Sequence, residues 1–238
     1  MNGREPNLAL QHSAPVQVLK YLLVLMALTP FALGLPRARA AGQITAADVI
    51  ERGEERFRTL QDYHCKVELE AKKGSRVETG TCQFWFKQPR MLRLKVNRGS
   101  KKGCEVAVDS AGQVRGHQGG LFKSIIRRMK STDSRLLTIR GTSMMGLDWG
   151  SFFLKYHAAA LRPGASVTLG PRIGPEAPYQ VQVSYPDRGM RIREVYSLGA
   201  SGWTIIEGAI FEDEVRVEHV TFQEIKLDTG LTDDWFRL

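Results

Sequence analysis

Cysteine is scarce in this sequence, with Cys65, Cys82 and Cys104 the three among 238 residues. No Cys-x-x-Cys pair occurs, which removes the usual zinc cage and the thioredoxin-type redox site. The histidines beyond the leader are His64, His117, His157 and His219. They show neither His-x-x-x-His nor His-Glu-x-x-His spacing. Gly-x-Ser-x-Gly and phosphate-loop patterns are also missing. What remains is weak. Gly141-Thr142-Ser143 and Gly150-Ser151 are turn-like pieces without a partnered base. Asp233-Asp234 reads as a solvated turn before Trp235, and Cys104 beside Glu105 reads better as a small apolar strand residue than as a nucleophile. No catalytic residue, metal ligand or cofactor is therefore expected, and an enzyme is the disfavoured class.

Long apolar runs are missing too, with one exception near the start. Tyr21 to Leu35 is apolar, follows Lys20, and leads through Pro36 to the small-residue pattern Ala38-Arg39-Ala40. Positive charge, a short apolar core and an A-x-A site are the three parts of a secretory signal. The core falls short of the ~20 helical residues that span a bilayer, and Pro30 and Gly34 interrupt it. Residues 1–40 are thus read as a signal peptide and 41–238 as one exported domain in the periplasm or another extracytoplasmic space, soluble after cleavage. An uncleaved anchor is the alternative reading. The first 40 residues hold four Lys and Arg and one acid, which leaves 41–238 a net charge of +6. Such an excess suits anionic surfaces without specifying one.

The domain opens with Thr45-Ala46-Ala47-Asp48, a capping-box start. Ile50, Gly53, Phe57 and Leu60 then share one helical face, which predicts a helix from about Ala46 to Leu60. The period next switches to two. Tyr63, Cys65, Val67 and Leu69 alternate with polar neighbours, and Cys82, Phe84 and Phe86 do so after Lys73-Gly74, which predicts a hairpin with one buried face. A turn centred on Lys73-Gly74 sets Cys65 directly across from Cys82 at disulfide range. Export to an oxidising compartment favours that bond, and two cysteines packed as small apolar residues are the alternative.

Strands follow at Leu92, Leu94 and Val96, and at Cys104, Val106 and Val108. Gly119-Gly120 opens a different stretch, where Phe122, Ile125, Ile126 and Met129 fall on one helical face. Lys123, Arg127, Arg128 and Lys130 surround that face with charge. This predicts a basic amphipathic helix, serving either as a lid with solvated charges or as a contact with an anionic membrane. A second helix is predicted from about Ser143 to Ala159. Strands then return through residues 167–169, 179–183, 192–195, 203–211 and 215–227. Helix, meander, helical insertion and second meander make an α+β domain, with a strongly curved antiparallel sheet whose concave face the helices cover. Tyr63, Phe84, Phe86, Leu92, Leu94 and Val106 would line that face. They form either an ordinary core or an apolar pocket for acyl chains. Nucleic acid is not an expected partner, because basic and aromatic residues interleave little on the strands.

The order of these segments resembles the lipoprotein-carrier (LolA-like) superfamily, in particular an uncharacterised exported branch. The residues that carry the resemblance are Phe57 to Cys65, the Phe84–Phe86 strand with Lys87 to Arg93, Lys102 to Val106, and the close from Phe222 through Thr229-Gly230-Leu231 to Phe236. Membership implies a β half-barrel with a helical lid over an apolar cavity that holds lipid or lipoprotein acyl chains. Some relatives instead sense envelope stress. The resemblance implies an apolar or acylated ligand, with envelope proteins as further partners, or a regulatory module whose cavity is filled. The sequence departs from the true carriers in its cysteines and its basic middle segment.

Overall fold

The computed structural model describes residues 44–120 and 125–238, and Ile44–Leu238 makes up one compact unit. The expected signal peptide lies outside the described residues. The unit has a single continuous core, the property that lets a domain fold by itself.

Helix α1 spans Ala46–Thr59 and begins as its sequence dictates. Thr45 Oγ1 accepts the Asp48 N–H at 3.2 Å, and Asp48 Oδ2 accepts the Thr45 N–H at 2.9 Å. This reciprocal pair satisfies two of the donors a helix start leaves open. Strands β1 (Asp62–Lys73) and β2 (Arg76–Lys87) form the first hairpin. Then come β3 (Met91–Gly99), β4 (Glu105–Val108), β5 (Val114–His117) and β6 (Arg127–Met129). After helix α2 (Trp149–Ala160), the chain continues through β7 (Ser166–Leu169), β8 (Tyr179–Asp187), β9 (Met190–Leu198), β10 (Ile205–Glu212) and β11 (Val215–Leu227).

All eleven strands join one antiparallel sheet in the order β6-β5-β4-β3-β2-β1-β11-β10-β9-β8-β7. Two meanders therefore meet at the β1–β11 ladder, where Val67 lies opposite Phe222 and Leu69 opposite Val220. The sheet is open, because β6 and β7 do not pair with each other. The α+β class and the curved antiparallel sheet read from strand periodicity hold, as does the half-barrel that the resemblance implies. Local turn chemistry sets the registers. Asp187 pairs with Met190 around Arg188 and Gly189, both at positive φ (50° and 81°), as a type I′ hairpin requires.

Three expectations need correction. The first hairpin turns on Gly74-Ser75, with Lys73 paired to Arg76. Gly74 takes the first turn position at φ +58°, the place where a II′ hairpin wants glycine. The register therefore moves by one residue per strand. Cys65 faces Phe84 and Cys82 faces Val67, so the two cysteines stay on the buried face but are not opposed. All three cysteines are free.

The basic helix is not formed in the part of its range that is described. Ile125 and Ile126 lie outside any helix, and Arg127–Met129 is strand β6, laddered to β5. The β-branched isoleucine pair suits extended chain, and an open strand edge supplies the hydrogen bonds that a helix would have had to make alone. Phe122 and Lys123 lie outside the described residues.

The second helix starts later than its apolar spacing suggested. A 3-10 turn at Met144–Gly146 precedes it, and Asp148 then caps α2 by accepting the Ser151 N–H at 2.9 Å.

Candidate functional site

The inner face of the sheet has a packed centre and an open end. At the centre, Tyr63 of β1 stacks on Trp149 of α2 with ring centroids 4.0 Å apart, and the Trp149 N–H donates to Tyr63 Oη at 3.2 Å. Phe84 and Phe86 of β2 flank Tyr63 at 6.0 and 5.2 Å. Phe152 and Phe222 meet edge-on at 5.5 Å beside them. Two glycines let the helices come this close. A Cβ on Gly208 of β10 would sit 2.5 Å from the Phe152 ring. On Gly53 of α1 it would sit 2.5 Å from Leu198 and 2.9 Å from Phe153. Burial pushes the Tyr63 phenol far above its ordinary pKa, with Cys65 and Asp148 adding to the effect. The phenol is therefore a neutral packing and hydrogen-bonding group.

Past Phe84 toward β6, α2 no longer covers the sheet. A cavity of about 280 Å³ remains there, with Leu94, Val96, Val106, Met129, Leu136 and Met144 as its apolar wall. Ile125, Cys104, Gly116, His117 and Gln118 continue the lining, with Lys101, Arg127 and Arg135 as its basic members. The roof is the segment that runs from β6 to α2. Leu136, Met145 and Leu147 point inward and are buried. The segment is tied down on both sides. The Ile139 N–H donates to Glu78 Oε2 at 2.7 Å, and Lys101 Nζ donates to the Leu137 carbonyl while lying 3.4 Å from Glu78. On the far side, Arg140 donates to the Lys72 carbonyl at 2.9 Å, pairs with Glu212 and lies 3.7 Å from Glu218.

The six residues expected to line an apolar hollow divide between these two regions. Leu94 and Val106 line the cavity. Tyr63, Phe84 and Leu92 are buried in packed core, and Phe86 is buried there as well, with an edge on a recess beside Phe57 and Phe153. The expected contiguous hollow is therefore divided: Leu94 lines the cavity, whereas its cross-strand partner Phe84 belongs to the packed region where Trp149 covers Tyr63. Of the expected lid residues, Ile125, Arg127 and Met129 border the cavity, while Ile126 and Arg128 are exposed. Trp149, Leu136 and Met144 carry much of the arrangement and were not singled out from sequence. Asp148, a helix-capping residue directly before Trp149, is the signal that would have placed Trp149 at the start of α2.

Glu105 is committed to Arg93, whose Nε donates to it at 2.7 Å, and to His117 at 3.5 Å. Burial and then the neighbouring Cys82 push the Cys65 thiol far up, and burial raises Cys82 to about 12. Among the described residues, no three His, Cys, Asp or Glu side chains converge to hold a metal ion. Among them also, no helix is long and apolar enough to cross a membrane.

No family model matches the sequence, and no curated protein matches it. Solved structures do. The chain is similar to MucB at 13% identity and a TM-score of 0.51, over 81% of this chain and 62% of MucB. A LolA superfamily protein from Nitrosomonas europaea aligns at 10% identity over 82% of this chain and 99% of its own, with a TM-score of 0.43. A putative outer membrane lipoprotein-sorting protein domain from Vibrio parahaemolyticus aligns at 10% identity over 81% and 97%, with a TM-score of 0.40. Identities this low speak to architecture alone, and the MucB alignment is the one that carries the comparison. The chain thus shares the fold of MucB over most of its length, an open antiparallel sheet with two α-helices packed against one face among the described residues.

Proposed function

We propose that this chain is an extracytoplasmic, non-catalytic binding protein that takes an apolar or acylated group into the cavity between β3–β6 and the roof segment. The observation that carries the reading is a partly open, apolar-walled cavity at one end of a sheet whose centre is otherwise filled. Its volume of about 280 Å³ falls just below the ~300–1,000 Å³ usual for ligand sites, which suits part of a hydrocarbon chain. Each buried CH₂ contributes about 0.8 kcal/mol, so a short buried stretch sets the affinity. The leader read from sequence supplies the compartment.

A second reading is a regulatory or protein-interaction module of the same fold. The Tyr63–Trp149 plug favours it, because the part of the face best placed for a long chain is occupied by the protein's own side chains. Envelope proteins are then the partners, as MucA(peri) is the partner in a solved complex of MucB. Organic extraction of the exported protein followed by mass spectrometry separates the two. Stoichiometric lipid that is lost in Met129→Trp supports the binding protein. Lipid-free protein that keeps its fold supports the module.

A further inference from the structure

Basic charge in this chain is concentrated in one stretch. Residues 90–135 hold twelve Lys and Arg against three acids, while the remainder of the chain balances at twenty-two of each. The fold brings several of these cations to one corner. The turn after β3 abuts the end of β5, where a Cβ on Gly103 would lie 2.9 Å from Gly119 Cα. Lys101 and Lys102 belong to that turn, and Gly116 of β5 pairs with Arg127 at the start of β6. The neighbouring pair in the same ladder is Arg115 opposite Arg128. Like charges directly across a ladder destabilise it unless a counter-ion sits between them. Lys101 and Arg135 are engaged with Glu78 and Asp133. Lys102, Arg127, Arg128 and Lys130 form no ion pair among the described residues. Directly before Arg127, Ile125 and Ile126 are 44% and 48% exposed.

The geometry points to docking of this corner on an anionic lipid bilayer. The arginines and lysines meet the headgroups, and Ile125 with Ile126 enters the acyl boundary. Cations explain attraction to any polyanion. The exposed isoleucine pair selects a bilayer, because it gains nothing from nucleic acid or a soluble anion and is buried by entering lipid. Ile125 and Arg127 also border the cavity, so docking here turns the cavity mouth toward the membrane. The surface stands whether or not the cavity holds a ligand, and lipid extraction and vesicle binding can therefore fail independently.

The test uses residues 41–238, which include the whole compact unit, with vesicles of phosphatidylcholine alone or mixed with phosphatidylglycerol. Co-sedimentation is expected with the mixed vesicles alone and is expected to weaken as salt shortens the reach of the charges. Each basic residue at an anionic surface strengthens binding about fivefold, so R127Q/R128Q should weaken it by roughly 25-fold. I125S/I126S should weaken it as well, with an unchanged melting temperature because both side chains are exposed. Equal binding to both vesicle types, or full binding by R127Q/R128Q, overturns the proposal. So does heparin binding as tight as vesicle binding that is indifferent to I125S/I126S, which would mark a site for soluble polyanions.

Discussion

Trp149 lies flat on Tyr63, the two ring planes within 6° of parallel, and its own backbone N–H donates to the Tyr63 hydroxyl at 3.2 Å. One contact thus fixes the start of α2 over β1 and decides which part of the inner face is solid. Trp149→Ala should destabilise the domain by about 3–5 kcal/mol, the range for deleting a large buried aromatic. It should also open a void over Tyr63, beside Phe84. Urea unfolding checks the first effect, and increased uptake of a fluorescent apolar dye checks the second.

Asp62 ties the C-terminal segment to the start of β1. Its carboxylate accepts the Thr229 N–H at 2.7 Å, the Thr229 hydroxyl at 2.8 Å, and the Gly230 and Leu231 N–H groups each at 3.0 Å. Burial pushes its pKa up, but the Thr229 hydroxyl and the three amides outweigh that and hold it below the ordinary 3.8. A depressed folded pKa contributes stability that is present above the unfolded value and is lost as pH falls through the folded one. Asp62→Asn should therefore cost about 1–3 kcal/mol at neutral pH. Its stability should also fall less steeply than wild type below about pH 4. Urea midpoints measured across that range give the comparison.

Strand alternation made much of this fold legible in advance. Tyr63, Cys65 and Val67, like Phe84 and Phe86, sit on the buried face as their period requires, because alternation is a local property that needs no knowledge of partners. The register of that hairpin was harder to read. It depends on whether Gly74 takes the first or the second turn position, and a shift by one residue per strand leaves the faces unchanged while separating Cys65 from Cys82. The stretch from Gly119 to Asp148 was least legible. Ile125, Ile126 and Met129 have helical spacing, yet the free edge of β5 recruits Arg127–Met129 as a strand. The roof residues Leu136 and Met144 follow no period at all. They are placed by distant ties, Glu78 to Ile139 and Arg140 to Lys72, which sequence separation conceals.

Those ties bear on access to the cavity. Arg140→Ala removes the guanidinium that joins the roof to β1, β10 and β11 and leaves Glu212 and Glu218 without it. A loss of about 1–3 kcal/mol is expected. Amide hydrogen exchange between Leu136 and Gly146 should speed up while the β1–β2 ladder stays protected. Unchanged exchange in the roof would mean that its inward side chains alone hold it.

Thiol chemistry offers a reporter from inside the cavity. Cys65 and Cys82 are buried with raised pKa values, so at neutral pH almost no thiolate is present to react. Cys104 is half-buried and borders the cavity. Iodoacetamide should label Cys104 in the folded protein and reach the other two after denaturation, as peptide mass mapping would show. A cavity ligand should slow labelling of Cys104.

Titration of the folded domain with a fluorescent fatty acid is the most direct measurement of the central claim, that the space beneath Leu136 and Met144 admits a hydrocarbon chain. Saturable binding at one site is expected, with protection of Cys104 and loss of binding in Met129→Trp at an unchanged fold. Absence of binding, or equal binding by Met129→Trp, would contradict it.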